Sequence, residues 1–424
     1  MIKLKVLLSS LLIAVIFSCT KSTDRGSAQL KEQYPEFFGV SVENAASMNR
    51  KDAAVVMNLD DIQAKYPDFN ANAFIVLSDD NELASQSIDA DNNGMPDEII
   101  FVTDFVSGER KSLTIRYAKS GAMERGYPKR TQAELSHKFG GEFVGSEYKG
   151  GEFKNVKFLR VPPGFNDHSW YIRYEGPGWE SDKVGYRFYL DWRNAIDIWG
   201  KKIPDMVLQN VGLDGFDSYH EMSDWGMDIL KVGESLGIGS IAMWDQGKAN
   251  RVSATDSVIC YIVANGPVYS QIQTKYFGWK IGDQKYDLVS DLSITAGSRL
   301  TKHSLMISNS PANLCTGIVK LPETKLINKS DEESEWAYLA TYGKQSLAED
   351  SLGMAVLYKN LDLIELTEDS LNHVVILKPN DGKLEYYFLA AWEKEPSGIR
   401  SEAEFAQYLD RLIDDLNSPL KVNL

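Results

Sequence analysis

The residues best suited to chemistry lie in one dense run near the middle of this 424-residue chain, from His168 to Asn194. The run reads HSWYIRYEGPGWESDKVGYRFYLDWRN and concentrates tryptophan, tyrosine, arginine and acidic side chains, the residue types that bind sugars and act on them. Its pattern predicts two strands, Ser169–Glu175 and Tyr186–Asn194, joined by a turn rich in glycine and proline. We therefore expect this hairpin to form part of an active site.

Side chains alternate between the two faces of a strand, so the hairpin should have one mostly apolar face and one charged face. The charged face carries Arg173 and Arg187, and arginine binds a carboxylate or a sulfate group through two parallel hydrogen bonds. Trp192 falls on the apolar face of the second strand. Cross-strand ion pairs on a solvated face explain the same charges, and both interpretations stay open.

The turn and the two nearby histidines supply four more candidates. Trp179 stands beside glycine, where an exposed indole can stack on a sugar ring, and Lys183 can reach an anionic group. A tryptophan that folds back onto the core explains Trp179 equally well. His168 is either an acid–base catalyst or a hydrogen-bonded core residue. His137 precedes a glycine-rich stretch typical of a cleft edge and is a candidate for substrate binding.

A second dense run, Asp214–Asp228, reads DGFDSYHEMSDWGMD and should form a loop. Loops over a rigid β scaffold commonly carry catalytic residues. The adjacent Tyr219 and His220 suit proton abstraction and return, and Trp225 is a candidate for stacking on a sugar. A metal site is the alternative here, although the chain lacks the HExxH motif of zinc peptidases; its ligands would be His220, Glu221, Asp224 and Asp228.

The segment DADNNGMPDE resembles the start of a calcium loop. Oxygen-bearing side chains at alternating positions followed by glycine are typical of such loops, and the candidate ligands are Asp89, Asp91, Asn93 and Asp97. The glutamate that closes an EF-hand loop is missing, and a tight Asn-Asn-Gly turn explains the same residues. A structural calcium ion is therefore one of two interpretations, and no other cofactor is expected.

The fold class follows from short runs of Val, Ile, Tyr and Phe that alternate with Gly, Asn, Asp and Pro, which predict an all-β protein. We predict a small N-terminal β-sandwich module over residues 37–120. A large antiparallel β-sandwich over residues 130–424, of the supersandwich type seen in mutarotases and many lyases, should form the catalytic domain. The segment Glu402–Leu416 has apolar residues at helical spacing and predicts a C-terminal helix packed on the sandwich.

The N-terminus predicts a lipoprotein signal over residues 1–18, in which two lysines precede an apolar stretch too short to span a bilayer. Cys19 would be acylated after cleavage, and residues 19–36 form a polar tether. An ordinary secretory signal with an incidental cysteine is the alternative. The expected location is the periplasm of a Gram-negative bacterium, with the lipid anchor in the outer membrane.

The formal net charge of −15 makes nucleic acid a poor partner, because non-specific binding to phosphates depends on lysine and arginine. An anionic oligosaccharide needs only a local cluster of arginines and stays an expected partner. Beyond Cys19 the chain has only Cys260 and Cys315, too few for a disulfide framework or a cysteine metal site.

The two central runs, together with DNNGMPDEIIF upstream, resemble a family of Bacteroidota lipoproteins labelled as a domain of unknown function. One member of that family is an oligosaccharide dehydratase in ulvan breakdown. It removes water from a terminal glucuronate or iduronate and leaves a 4,5-unsaturated uronate. The resemblance covers roughly Phe38 to Trp392 and implies the same class of reaction for this chain.

Such a dehydration needs a cation for the sugar carboxylate, a base for the C5 proton and an acid for the leaving 4-hydroxyl. For the cation, the candidates are Arg173, Arg187 and Lys183. For the base and the acid, the candidates are His168, Tyr219 and His220.

Three alternatives use the same region of the sequence. A polysaccharide lyase needs the same groups but expels a glycoside instead of hydroxide. A lipoprotein that binds glycans without catalysis needs only the arginines and aromatic residues. A glycoside hydrolase would use paired carboxylates such as Asp191 and Glu221.

Overall fold

The computed structural model describes residues 29–329 and 333–424, and its named strands pair antiparallel throughout. The all-β prediction is confirmed. The predicted signal peptide and Cys19 lie outside the described residues. Within these two ranges, no helix has both the length and the apolar character needed to cross a membrane.

The N-terminal part is a two-layer sandwich of seven strands and one short helix. In chain order the elements are β1 (Glu36–Glu43), β2 (Arg50–Asn58), α1 (Leu59–Lys65), β3 (Phe74–Ser78), β4 (Asn81–Leu83), β5 (Ser85–Ile88), β6 (Glu98–Phe105) and β7 (Arg110–Tyr117). One layer has the strand order β1-β7-β3-β4, and the other has the order β2-β6-β5. Phe38, Phe101 and Ile115 lie in the apolar core of this sandwich.

The rest of the chain forms a much larger sandwich. Its first strands are β8 (Thr131–Glu134), β9 (Ser136–Val144), β10 (Glu147–Asn155), β11 (Phe158–Arg160), β12 (Gly178–Ser181), β13 (Gly185–Phe188), β14 (Ile196–Lys201), β15 (Gly226–Asp228), β16 (Ala242–Asp245) and β17 (Lys248–Arg251). The next are β18 (Ser257–Asn265), β19 (Tyr269–Ile281), β20 (Gln284–Thr295), β21 (Thr301–Ile307), β22 (Leu314–Val319), β23 (Thr324–Lys329), β24 (Trp336–Lys344), β25 (Ser351–Lys359), β26 (Leu363–Glu368), β27 (Asn372–Leu377) and β28 (Lys383–Trp392). The chain then forms α2 (Glu402–Asn417) and β29 (Lys421–Asn423).

Three sheets enclose the main core. A nine-stranded sheet has the order β11-β18-β19-β20-β21-β28-β25-β24-β23. Two five-stranded sheets share one apolar core with it, with the orders β15-β14-β13-β12-β8 and β17-β16-β22-β27-β26. We call the first of these two the site sheet. A separate two-stranded ribbon is formed by β9 and β10.

The C-terminal helix packs against strands β24 and β25 of the nine-stranded sheet, as predicted. Its Phe405, Leu409 and Ile413 lie at helical spacing and are buried in a second apolar core. Ser401 caps the helix N-terminus, where its hydroxyl accepts a hydrogen bond from the backbone N–H of Glu404 (3.2 Å). Beyond the helix, β29 pairs with β1, so the end of the chain completes the N-terminal sandwich.

The predicted central hairpin is wrong in its boundaries. Ser169–Glu175 is not a strand but an irregular segment that ends in a 3₁₀ turn, and the hairpin is formed by β12 and β13. The second strand ends at Phe188 because the chain turns back there, with the Tyr189 N–H donating to the Ala195 carbonyl (3.0 Å). Trp192 therefore lies in a turn and not on the apolar strand face.

Two tryptophans of this region should differ sharply in their effect on stability. Trp179 is fully buried, stacks on Tyr186 and donates from Nε1 to the Thr301 hydroxyl (2.9 Å). Trp179→Ala should cost ~3–5 kcal/mol, whereas Trp192→Ala, at an exposed position, should change stability by less than about 0.5 kcal/mol. Thermal denaturation of both variants checks this, and equal melting temperatures would contradict the packing described.

Candidate active site

The site sheet has one apolar face and one charged face. Residues directly opposite each other across strands share a face, and the register places Glu134, Arg187 and Asp197 in one row. A second row contains Glu180, Trp199 and Asp228. The charged side chains of both rows are buried, so this face is covered and not solvated.

The cover is an apolar cluster contributed mainly by the two segments that precede and follow the strands of the sheet. Leu208, Val211 and Tyr219 come from the segment between β14 and β15, and Tyr174 comes from the irregular segment before β12. Glycine makes room for this layer: a Cβ at Gly178 would lie 2.9 Å from the Tyr174 hydroxyl. The charged groups therefore interact at low dielectric, where an ion pair and an unpaired charge both change the free energy of the folded state strongly.

Arg187 is the centre of the charged face. Its Nη2 donates to Oδ2 of Asp197 (2.8 Å) and to Oδ2 of Asp228 (2.6 Å). Its Nη1 donates to the Tyr219 hydroxyl (3.1 Å), and its guanidinium lies over the Trp199 ring at 4.6 Å. One guanidinium thus serves two carboxylates. Burial, followed by the charge of Asp228, raises the pKa of Asp197 to about 7.

Two further buried ion pairs flank this centre. Arg173 pairs with Glu134, whose Oε1 also accepts from the Tyr174 hydroxyl (2.8 Å). Lys201 pairs with Glu180. The second oxygen of Glu180 accepts from two backbone N–H groups of the covering segment, at 2.8 and 2.9 Å. The cover is therefore attached to the charged face by hydrogen bonds as well as by apolar packing.

His220 connects this buried network to solvent. Its side chain is 46% exposed, and its Nε2 lies 3.4 Å from Oδ2 of Asp228. The hydrogen bond to Asp228 raises the pKa of His220, and partial burial opposes that rise. A solvent-accessible imidazole held by a buried carboxylate is an arrangement suited to proton transfer.

Tyr219 is brought next to His220, as the sequence predicts, but only His220 is exposed. The two ring centroids are 4.6 Å apart, and Tyr219 is 2% exposed. Burial raises the pKa of Tyr219 to about 12, so its hydroxyl keeps its proton near neutral pH. Tyr219 is therefore unsuited to act as a base in this arrangement.

Phe216 is a common neighbour of His168 and His220. The His168 ring is 5.4 Å from the Phe216 ring, and the backbone of Phe216 hydrogen-bonds to His220. The His168 side chain is 70% exposed and is not the core residue that one interpretation predicted. Its backbone N–H donates to Oε1 of Glu175 (2.6 Å).

The segment that carries His168 is conformationally strained. Four of its non-glycine residues have positive φ angles, which L-residues adopt at a cost of order 1–3 kcal/mol each: His168 (56°), Trp170 (53°), Tyr174 (40°) and Glu175 (68°). Such strain clusters at functional sites. The same region also contains three buried N–H donors without a hydrogen-bond partner in the described chain, the Nε1 of Trp170, the Nε1 of Trp199 and the Nε of Arg173.

The structure corrects the substrate-binding roles of three residues. Trp179 is in the core, so it has no free face for a sugar. Arg173 and Arg187 are 3% and 2% exposed and already hold internal carboxylates, because the loops cover the face that was expected to be solvated. Arg187 does form a cross-strand ion pair, with Asp197 of β14, but on a buried face and not on the solvated face of the alternative interpretation.

The remaining predicted residues lie around the network and not within it. Lys183 occupies the β12–β13 turn, where its charge counteracts the burial that raises the pKa of Glu395. Trp225 is half-buried in the cover and meets the Trp199 ring edge-on at 6.2 Å. His137 is buried at the base of the β9–β10 ribbon, stacked on Phe139 at 4.2 Å.

The predicted calcium loop is a turn with internal hydrogen bonds. Asp89, Asp91 and Asp97 each place a carboxylate oxygen within 4.8 Å of the others. Asn93 points its amide nitrogen at Asp91 Oδ2 (3.0 Å), and its amide oxygen accepts from the backbone N–H of Met95 (2.8 Å). The side chain of Asn93 therefore makes hydrogen bonds within the turn. Calcium at the three aspartates stays a prediction.

Sequence reasoning missed Glu134 and Asp197 among the carboxylates that hold the site, and it missed Trp199 and Lys201. It named Asp228 only as a ligand of the alternative metal site. A signal was present in IDIWGK of β14, where charged or aromatic residues alternate with apolar ones. That alternation is typical of a strand with one polar face, and only the covering loops turn the polar face into a buried one.

A protein-family model described as a domain of unknown function (DUF4861) matches residues 42–422, nearly the whole chain. The chain belongs to the DUF4861 family. The predicted membership in a family labelled as a domain of unknown function is confirmed in that form, while the lipoprotein character and the dehydratase activity stay predictions. No functionally curated protein matches this DUF4861 sequence.

Two solved structures from Enterococcus faecalis are similar to this DUF4861 chain. One is a protein in glycosyl hydrolase family 38, with 11% identity, a TM-score of 0.45, and coverage of 94% of this chain and 49% of that chain. The other is an alpha-mannosidase, with 11% identity, a TM-score of 0.46, and coverage of 94% and 48%. The chain thus spans about half the length of these two proteins.

The pairing of His220 with Asp228 predicts a pH dependence that can be measured directly. Asp228→Asn keeps the shape of the side chain and leaves Arg187 paired with Asp197, but it removes the charge that stabilises the imidazolium. The pKa of His220 should therefore fall, as followed by an NMR pH titration of its ring protons. An unchanged titration would show that the carboxylate does not act on His220.

The same interaction should contribute to stability in a defined pH window. Because the pKa of His220 is raised on folding, its contribution is fully present below the unfolded value of ~6.5 and is lost as pH rises through the folded value. The melting-temperature difference between wild type and His220→Gln should narrow with rising pH. A difference that widens over this range would contradict the pairing.

Proposed function

We propose that this protein is a dehydratase that removes water from the non-reducing-end uronate of an oligosaccharide and forms a 4,5-unsaturated uronate. The observation that carries the proposal is the half-exposed His220, held by buried Asp228 at the edge of a covered charge network. The resemblance of the two central runs to a family with such a dehydratase supports the choice of substrate.

The reaction needs two proton transfers and no net redox change. A base takes the proton from C5, the electrons of that C–H bond form the C4–C5 double bond, and the C4–O bond breaks. An acid protonates the departing 4-hydroxyl, which leaves as water. Exchange of protons with solvent then returns the acid and the base to their starting states.

In this proposal His220 is the acid and His168 is the base. The raised pKa of His220 favours its protonated form, from which it can give a proton to the departing 4-hydroxyl. The ring of His168 is exposed beside Phe216, its Nδ1 lies 3.4 Å from Oδ2 of Asp167, and it is the group that takes the C5 proton in this proposal. Arg187 acts as a positioning residue, because it fixes Asp228 and Tyr219 without facing solvent.

The cellular setting remains part of the proposal. Acylation of Cys19 would anchor the protein in the outer membrane, facing the periplasm, where imported oligosaccharides are processed. The acidic body of the protein argues against nucleic acid as a partner. The three aspartates of the DNNG turn are the proposed place for a structural calcium ion.

Two of the alternatives differ from the proposal in their products. A polysaccharide lyase would use the same histidines but would cleave the chain. A hydrolase that uses Asp191 and Glu221 is disfavoured, because the Asp191 carboxylate is fully buried and pairs with Arg193.

The proposal predicts a large loss of activity when either histidine is removed. Uronate-terminated oligosaccharides should give an ultraviolet absorbance from the conjugated double bond with wild-type protein. His220→Ala and His168→Ala should each slow that rise by ~10²–10⁴-fold, the usual contribution of a positioned acid or base.

His373→Ala is the matched control, because this histidine lies in β27, outside the site sheet. It should keep wild-type turnover. Full activity in both site variants would overturn the assignment of acid and base, and no absorbance rise with any uronate substrate would overturn the proposed reaction.

A further inference from the structure

A tight turn next to the candidate active site presents an indole to solvent. The turn follows β13 and is closed by Asp191, whose carboxylate accepts from the backbone N–H of Arg193 (2.9 Å) and whose carbonyl accepts from the N–H of Asn194 (3.1 Å). The Asn194 side chain donates to the Tyr276 hydroxyl of the nine-stranded sheet (3.0 Å). Trp192, at the tip of this anchored turn, is 40% exposed.

A guanidinium lies over the same indole. The Arg251 guanidinium carbon is 5.4 Å from the centroid of the Trp192 ring, within the range of a cation–π contact. The backbone of Arg251 is fixed at the end of β17, where its carbonyl accepts from Nε1 of Trp279 (3.2 Å). Both members of the pair are thus held in place by the body of the protein.

Arg251 has most of its hydrogen-bonding capacity unused. Its Nη1 donates to the Ser235 carbonyl (3.1 Å), and the side chain makes no other hydrogen bond and no ion pair within the described ranges 29–329 and 333–424. A guanidinium has five N–H donors. Burial lowers the pKa of Arg251, while Glu234 and Asp191 act on it only through longer-range attraction. A half-buried arginine without a carboxylate partner is a natural receptor for an external anion.

The Trp192–Arg251 pair is connected to the candidate active site through one shared carboxylate oxygen. Oε1 of Glu175 accepts from the backbone N–H of His168 (2.6 Å) and also pairs with Nη2 of Arg193 (2.9 Å). Arg193 follows Trp192 directly in the turn. The segments that carry the exposed rings of His168 and Trp192 are therefore joined through Glu175 and Arg193.

From this geometry we infer that Trp192 and Arg251 form a second sugar-binding subsite, which stacks a pyranose ring on the indole and binds that ring's carboxylate or sulfate group through the guanidinium. The inference rests on the proposed function for the identity of the ligand as an acidic oligosaccharide. It assigns the substrate sugar rings beyond its terminal disaccharide, and it predicts that longer acidic oligosaccharides bind more tightly than short ones.

Calorimetric titration of the full chain, in a His220→Ala background that prevents turnover, tests the subsite. The probes are a glucuronate-containing disaccharide, the corresponding tetrasaccharide with and without sulfate esters, and neutral cellotetraose. Trp192→Ala and Arg251→Met should each weaken tetrasaccharide binding on the order of tenfold, as expected for an anchoring contact. Binding of the disaccharide should change little.

The matched controls are an exposed apolar residue and a surface arginine far from the site. Leu326→Ala in β23 and Arg110→Met in β7 should leave the affinity for the tetrasaccharide unchanged. Arg251→Met should weaken binding of the acidic tetrasaccharide but not of cellotetraose, and Trp192→Ala should weaken both. Loss of binding on desulfation identifies sulfate as the recognised anion, and retained binding identifies the carboxylate; both results support the subsite.

Wild-type affinity for the tetrasaccharide in both Trp192→Ala and Arg251→Met would overturn the inference. The proposed function and the subsite are tested by different readouts, so one can fail while the other stands. If no oligosaccharide gives an unsaturated product but tetrasaccharide binding depends on Trp192, the dehydratase assignment falls and the subsite stands. If the unsaturated product forms and neither substitution changes the affinity for the tetrasaccharide, the dehydratase assignment stands and the subsite falls.

Discussion

The sharing of one buried guanidinium between two carboxylates is the interaction on which the candidate site depends. Arg187 contacts Asp197 and Asp228 under a layer of loops, where an unpaired charge would be costly and where breaking a buried pair typically costs ~3–5 kcal/mol. Because the single positive charge of Arg187 faces the negative charges of Asp197 and Asp228, the network favours the uptake of a proton. His220, which reaches solvent from Asp228, is the group placed to carry that proton. The pairing of Arg187 and the pKa of His220 are thus linked through the same carboxylate.

The covering loops turn a polar sheet face into a site. In a solvated sheet, the pairs Arg173–Glu134 and Arg187–Asp197 would be weak surface ion pairs. The segment that contains Leu208 and Tyr219 removes water from these groups, and Glu180 holds that segment by accepting two of its backbone N–H bonds. The opposite segment stores strain at His168 and Tyr174. The exposed histidines therefore lie where two loops meet over a rigid sheet, an arrangement common to many enzyme sites.

Much of the fold could be predicted from the sequence, and less of the site. Alternation of apolar residues revealed the strands, and helical spacing around Phe405 and Leu409 revealed the C-terminal helix, because both are local patterns. The segment that begins at Ser169 was wrongly predicted as a strand. Its residues with positive φ angles are held by hydrogen bonds to distant parts of the chain, which local sequence patterns do not show. Tyr219 and His220 were selected by their chemistry, and both contact the charge network. Asp228 and Asp197 were missed as partners of Arg187, because register and loop cover decide which charges meet.

The central claim is that the charge network, through His220, supports removal of water from a uronate without cleavage of the sugar chain. Mass spectrometry of a uronate-terminated oligosaccharide after incubation with the full-length protein tests this claim most directly. The account predicts an intact chain that is lighter by one molecule of water. Two shorter products, one of them unsaturated, would show a lyase instead, and an unchanged substrate mass across a panel of uronate oligosaccharides would contradict the account.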